Sequence, residues 1–255
     1  MQKSVFVPML ENKGDGKIEA NLGREGWGVN SAYAPSEHFS VMLNGSSTFE
    51  NSEQYDRKYN YQAEAGIGYF VNFLDSFHYE TYAGISRGVL NSNYSRATEE
   101  MTKYLIQGFF SIPASMFNIL SNLNSLTYSV NGRGSFNTAF MQHTIAITDQ
   151  LNAVSLTARC QYIDFNNYEE GVIVRNNIVW YNVYAPPKLF IQPVITDKIA
   201  ISDHLAFTLQ FGLNIELHES ENVFEWNKIF FYSGLEYTFH NTPKKLSKIY
   251  SPTGY

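Results

Sequence analysis

From His204 to His218 the chain reads His-Leu-Ala-Phe-Thr-Leu-Gln-Phe-Gly-Leu-Asn-Ile-Glu-Leu-His. Every second residue from Leu205 to Leu217 is Leu, Phe or Ile, and Ala206, Thr208, Gln210, Gly212, Asn214 and Glu216 lie between them. Side chains alternate between two faces only along an extended chain, so the pattern predicts a β-strand with one apolar and one polar face. The strand is long: about five or six residues is usual in a globular sheet, whereas roughly ten are needed to cross a bilayer at a tilt. The stretch therefore predicts a membrane barrel, with apolar residues turned to lipid and polar ones to the lumen. A soluble lipocalin-like barrel is the alternative at the level of fold, but it would have to turn its Gly, Glu and Asn face outward.

The 255 residues suffice for one large β-domain. A net charge of −6 argues against a nucleic-acid partner. The single cysteine, Cys160, excludes an intrachain disulfide and a Cys-rich metal site, and the six His residues form no ligand pair, so no metal or cofactor is expected. No stretch of 18 uninterrupted apolar residues predicts a membrane helix. A mean hydropathy of −0.25 is compatible with a barrel, whose alternating strands average out. Met-Gln-Lys-Ser-Val does not read as a signal peptide, so any targeting segment is expected to have been removed.

Period-two patterning and turn residues predict an all-β, closed antiparallel transmembrane barrel of about ten strands. They run Lys17–Leu22, Trp27–Tyr33, Phe39–Ser47, Tyr59–Val71, Tyr79–Gly88, Phe136–Ile147, Asn152–Ile163, Leu189–Ile201, His204–His218 and Asn227–Phe239. Eight or twelve strands remain open, because Tyr104–Phe110 and Leu126–Val130 could pair as a hairpin, with Asn131-Gly132 as a turn in that version. Residues 1–16 read as an irregular lead-in, 17–240 as the barrel and 241–255 as a polar tail. Loops are expected over Glu50–Lys58 and Asp164–Pro187. Short connections alternate with longer ones, as in outer-membrane barrels, and an even strand count would put both termini on the short-turn, periplasmic side.

Three stretches carry a resemblance to a known group. Val7-Pro8-Met9-Leu10-Glu11-Asn12-Lys13-Gly14 resembles a lead-in to strand one. Trp27 to His38 resembles a second strand and first periplasmic turn, and Leu235-Glu236-Tyr237-Thr238-Phe239 an aromatic-ended final strand. Together they resemble the small outer-membrane β-barrel proteins of Bacteroidota, many of them lipoproteins. The resemblance implies a bacterial outer-membrane location and a lipid anchor upstream of this sequence, since Cys160 sits mid-strand. It implies no single activity.

Alternation assigns Glu19, Glu64, Glu80, Arg159, Glu216, Lys228 and Glu236 to the lumen, where charge must be paired. Arg159 is expected among Glu64, Glu216 and Glu236. The insertion Val89–Asn131, read as extracellular, carries Leu105, Phe109, Ile112, Met116, Leu120 and Leu123 at helical steps, with Phe110 and Phe117 beside them. A partly helical segment this apolar is expected to contact lipid or a protein partner. His218-Glu219-Ser220 at the rim could place an imidazole near a hydroxyl, but no third orienting residue is marked. The expected function is a non-enzymatic structural or accessory subunit of an outer-membrane complex, in contact with outer-membrane lipids. A narrow, cation-preferring pore is the alternative. A closed barrel resists SDS until boiled, so the protein should shift in gel mobility on heating and need detergent for extraction. A chain that stays monodisperse without detergent would contradict the assignment.

Overall fold

The computed structural model describes residues 4–23, 26–52, 56–73, 76–96, 128–149, 151–174, 177–217 and 229–239. Twelve strands follow one another: β1 (Gly16–Gly23), β2 (Gly26–Tyr33), β3 (Phe39–Ser52), β4 (Asp56–Phe73), β5 (Phe77–Arg96), β6 (Tyr128–Thr148), β7 (Asn152–Val174), β8 (Asn177–Asn182), β9 (Lys188–Ala200), β10 (Leu205–Leu213), β11 (Ile215–Glu216) and β12 (Ile229–Phe239). Ten of them close a ring. Each of β1 to β7 pairs antiparallel with the next, β7 pairs with β9, β9 with β10, β10 with β12, and β12 with β1. Strand β8 lies on the far half of β7, and β11 continues the path of β10 along β9. Closure leaves the ring no edge, and in lipid, where backbone groups cannot bond to water, that is the condition for a sheet to span.

The polarity of the two faces settles what the barrel sits in. Outward positions of β4 include Tyr61, Ile67 and Tyr69, with Ile67 70% exposed, while Gln62, Glu64 and Phe70 between them are buried in the lumen. The same holds around the ring: Leu43, Ile85, Met141, Leu156 and Ile195 face out, and Asn30, Ser86, Gln142, Thr157 and Thr196 face in. A soluble barrel is apolar inside; this one is apolar outside.

The strand that prompted the reading is interrupted at Asn214. Pro193 of β9 falls opposite Leu213 and has no N–H to give, so the β9–β10 ladder lapses and resumes in the same register at Ile215↔Ile191. Strand β9 begins after Pro186-Pro187, which separates it from β8. Between β6 and β7 the register shifts near Gly134, where Asn167 adopts a positive φ of 51° and Tyr168 turns into the lumen. At the β6–β7 turn the exposed Asp149 carboxylate accepts the N–H groups of Leu151 and Asn152 at 2.8 Å each, which holds its pKa below the usual value.

Ten ring strands match the expected number. Several expected loops are strand. Glu50–Ser52 and Asp56–Lys58 are the far ends of β3 and β4, and much of Asp164–Pro187 is the extension of β7 and strand β8. The insertion narrows, because β5 runs to Arg96 and β6 starts at Tyr128. Asn131-Gly132 lies inside β6, opposite Gly171 and Glu170, and is no turn. No described residue is helical, and the expected partly helical segment, with Leu105, Phe109, Phe110, Ile112, Met116, Phe117, Leu120 and Leu123, lies outside the described residues. So does the tail 241–255.

Inward-facing aromatics in so narrow a tube need space, and glycine supplies it. Gly23↔Tyr232, Gly68↔Tyr82, Gly84↔Phe140, Gly88↔Phe136 and Gly212↔Phe230 are direct cross-strand pairs. A Cβ at any of these glycines would meet the partner ring at 2.1–2.6 Å, so each ring lies across the backbone of the neighbouring strand. Overpacking of this kind costs about 1–3 kcal/mol. Gly88→Val should therefore lower the denaturant midpoint in detergent, and adding Phe136→Ala should recover part of the loss. Equal midpoints for wild type and Gly88→Val would refute the stacking role.

Candidate functional site

The lumen is filled from the short-turn rim by the chain's own N-terminal segment. Residues 4–15 precede β1, fold back into the barrel, and bury Val5, Phe6, Val7, Met9 and Leu10, of which Val5, Phe6, Val7 and Leu10 are fully inaccessible. Phe6 and Leu10 pack on Met42, Phe70, Tyr82 and Phe140. Val5 packs on Val194, Phe230 and Tyr232, and Val7 and Met9 on Ala146.

No strand ladder holds this segment; lumen side chains satisfy its backbone instead. Gln210 accepts the Val5 N–H at 3.2 Å and donates to the Val5 carbonyl at 2.6 Å. Gln142 donates to the Phe6 carbonyl at 2.8 Å, and Lys198 to the Val7 carbonyl at 2.5 Å. The Glu80 carboxylate accepts the Met9 N–H at 3.0 Å, where Met9 adopts a positive φ of 49°. Asn72 donates to the Glu11 carbonyl at 3.0 Å and bonds His78, which in turn contacts Glu80 at 3.1 Å. At the rim, Asp15 accepts N–H groups from Glu11 and Asn12, and Gly14 donates to the Ala34 carbonyl at 2.7 Å. These bonds pair the Val5, Phe6 and Val7 carbonyls and the Val5 and Met9 N–H groups, as backbone polar groups held away from water require.

Six of the seven expected lumen charges face inward: Glu19, Glu64, Glu80, Arg159 and Glu236 are buried, and Glu216 is partly so. Lys228 lies outside the described residues. The grouping differs from expectation. Arg159 forms a two-pronged pair with Glu64, at 2.5 and 3.2 Å, and its guanidinium sits 3.9 Å from the centre of the Phe140 ring. Glu216 pairs with Lys188 at 2.8 Å. Glu236 is held by Lys198 and, at 3.1 Å, by Lys17. Glu19 accepts from Asn21 and Asn30 at 3.1 Å each. The three lysines were missed, although the alternation of Ile191, Ile195 and Ile199 to the outside already marks Lys188 and Lys198 as inward. They remove most of the carboxylate excess that would favour cations.

Toward the opposite rim the wall itself carries an apolar cluster on its inner face. Leu90, Phe136, Ile163, Tyr168, Ala185 and Phe190 form an apolar cluster across β5, β6, β7 and β9. Gly132 and Gly134 lie directly against the Tyr168 ring and leave it room. His218, Glu219 and Ser220 lie outside the described residues. Among the described residues no cluster of three or more His, Cys, Asp or Glu could hold a metal ion.

Removing one member of a buried, hydrogen-bonded ion pair costs about 3–5 kcal/mol, because the other charge is left without a partner. Arg159→Ala should therefore lower the unfolding midpoint in detergent markedly, and Arg159→Ala with Glu64→Gln less than the sum of the two single changes. Additive losses would show that the pair is not coupled.

No protein-family model matches the chain, and no curated protein matches it. Solved structures do. The outer membrane protease OmpT from Escherichia coli superposes with a TM-score of 0.52 at 10% identity, over 88% of this chain and 93% of that one. The KdgM porin gives 0.33 at 10% identity, over 89% of this chain and 99% of that one. The CymD monoaromatic hydrocarbon channel gives 0.33 at 8% identity, over 90% and 89%. Only the first is close enough to bear on the fold, and at such identity it bears on nothing else. With ten strands in a closed ring, an apolar outer face and polar groups inside, the chain is a β-barrel of the outer-membrane kind.

Proposed function

We propose that the protein is a non-conducting, non-enzymatic outer-membrane barrel that serves as a structural or accessory subunit of a larger outer-membrane complex. The observation that carries this reading is the occupied lumen: residues 4–15 fill the half near the short turns, and an apolar cluster with Leu90, Phe136 and Phe190 lines part of the other. A tube filled by its own chain is a poor conduit. The apolar residues at helical steps between Leu105 and Leu123 of the sequence favour a partner in or on the membrane. Both termini on the periplasmic side, and a lipid anchor upstream, belong to the same proposal.

A gated, narrow pore is the second reading, favoured by one feature. The N-terminal segment is held by side-chain hydrogen bonds, so it could leave without breaking any pair of the barrel ladder.

Planar-bilayer recording separates the two. Neither the wild type nor a variant lacking residues 4–12 should show steady conductance if the barrel is structural. Steady openings in the deletion variant alone would establish the gated pore, and openings in the wild type would defeat the structural reading. Crosslinking in native membranes should capture the same complex with wild-type chain and lose it when Ser111–Ser125 is deleted.

A further inference from the structure

Two outward rows on β3 to β7 border a shallow groove of about 650 Å³ on the outer face. The row nearer the short turns, in register, is Leu43, Ala65, Ile85, Ala139 and Tyr162. Ala65 and Ala139 are troughs on either side of Ile85, which is 70% exposed, and Ala63 deepens one of them. Apolar walls around small side chains fit an acyl chain.

The next row toward the long connections changes character. Arg87, Asn137 and Asp164 stand side by side on β5, β6 and β7, and all three are exposed on the outer face. Among the described residues neither Arg87 nor Asp164 has an ion-pair or hydrogen-bond partner. Arg87 lies ten residues beyond Phe77, at the start of β5. At about 3.3 Å per residue and a tilt near 40°, that is roughly 25 Å along the membrane normal, the height of the apolar band of such barrels. Asp164 is equally far from Val154 on β7. The row therefore sits at headgroup level, directly above the groove.

Two strand spacings, about 10 Å, separate the Arg87 and Asp164 backbones, and the long arginine side chain shortens the span between the charges. A cation and an anion at that separation, with an amide between them, are complementary to a headgroup that carries both signs. We infer that this groove binds one lipid, its phosphate on Arg87, its primary ammonium on Asp164, and its two acyl chains in the troughs on either side of Ile85, one at Ala63 and Ala65 and one at Ala139. Phosphatidylethanolamine has this chemistry. Phosphatidylglycerol offers Asp164 no cation, and the quaternary nitrogen of phosphatidylcholine cannot donate a hydrogen bond to it.

The test is native mass spectrometry of the full chain in micelles, titrated separately with the three lipids at equal acyl composition. Phosphatidylethanolamine should be retained at several-fold higher occupancy than either of the others. Arg87→Gln and Asp164→Asn should each reduce that retention at least threefold while leaving heat-modifiable, folded protein. Phe211→Ala, on another part of the outer face, should leave it unchanged. Equal retention of all three lipids, or wild-type retention by either charge variant, would overturn the assignment.

Discussion

One ammonium group joins the wall of this barrel to its filling. Lys198, on β9, bonds the Glu236 carboxylate on β12 and the Val7 carbonyl in the lumen. Glu236 also holds Lys17 of β1 across the seam where the last strand meets the first. A charge buried this deeply is tolerated only with partners, and here the partners come from both sides of the closing seam and from the plug. The seam ladder, Gly16↔Phe239 to Gly23↔Tyr232, supplies backbone pairing, while the Lys17–Glu236–Lys198 chain ties the strands together from within.

The same lumen has to be full as well as paired. A ten-stranded tube is narrow, so its inward positions can be filled by side chains. This barrel divides the task. Where aromatics point inward, the facing glycines let the rings lie against the wall, and the space left free takes Phe6 and Leu10. Beyond the Arg159–Glu64 pair, the wall's own Phe136, Tyr168 and Phe190 take over. Polar pairs and apolar contacts thus alternate along the lumen rather than forming one charged core.

The barrel itself was legible in the sequence because a lipid-facing strand must be apolar at every second position. That constraint is strict enough to locate all ten ring strands and the inward direction of Glu19, Glu64, Glu80, Arg159, Glu216 and Glu236. It weakens where strands rise past the lipid. The far ends of β3 to β7 lack the apolar alternation in sequence, and so read as loops over Glu50–Lys58 and Asp164–Pro187. The plug was illegible for a different reason. Val5 to Leu10 has no period, since its environment is set by residues such as Gln142 and Gln210, far along the chain, and not by its own conformation. Reading residues 1–16 as an irregular lead-in is correct as to backbone, but it says nothing of where the segment goes. The clue was composition: three large apolar side chains and two valines in six residues rarely face water.

The plug's partners also fix when it can form. Gln210 and Lys198 lie 205 and 191 residues from the segment they hold, so neither contact exists until the C-terminal strands are in place. Contacts of such separation form late, because the chain between them must be ordered first. Residues 4–15 are joined directly to β1, and β1 is the strand that the closing seam must capture. Seating the segment and closing the ring are therefore parts of one event: an open sheet offers Val7 no Lys198 at the right distance, and a closed ring without the segment leaves Gln142, Gln210 and Lys198 short of the carbonyls they now satisfy. The filling of the lumen is thereby a consequence of closure, built from the strands that arrive last.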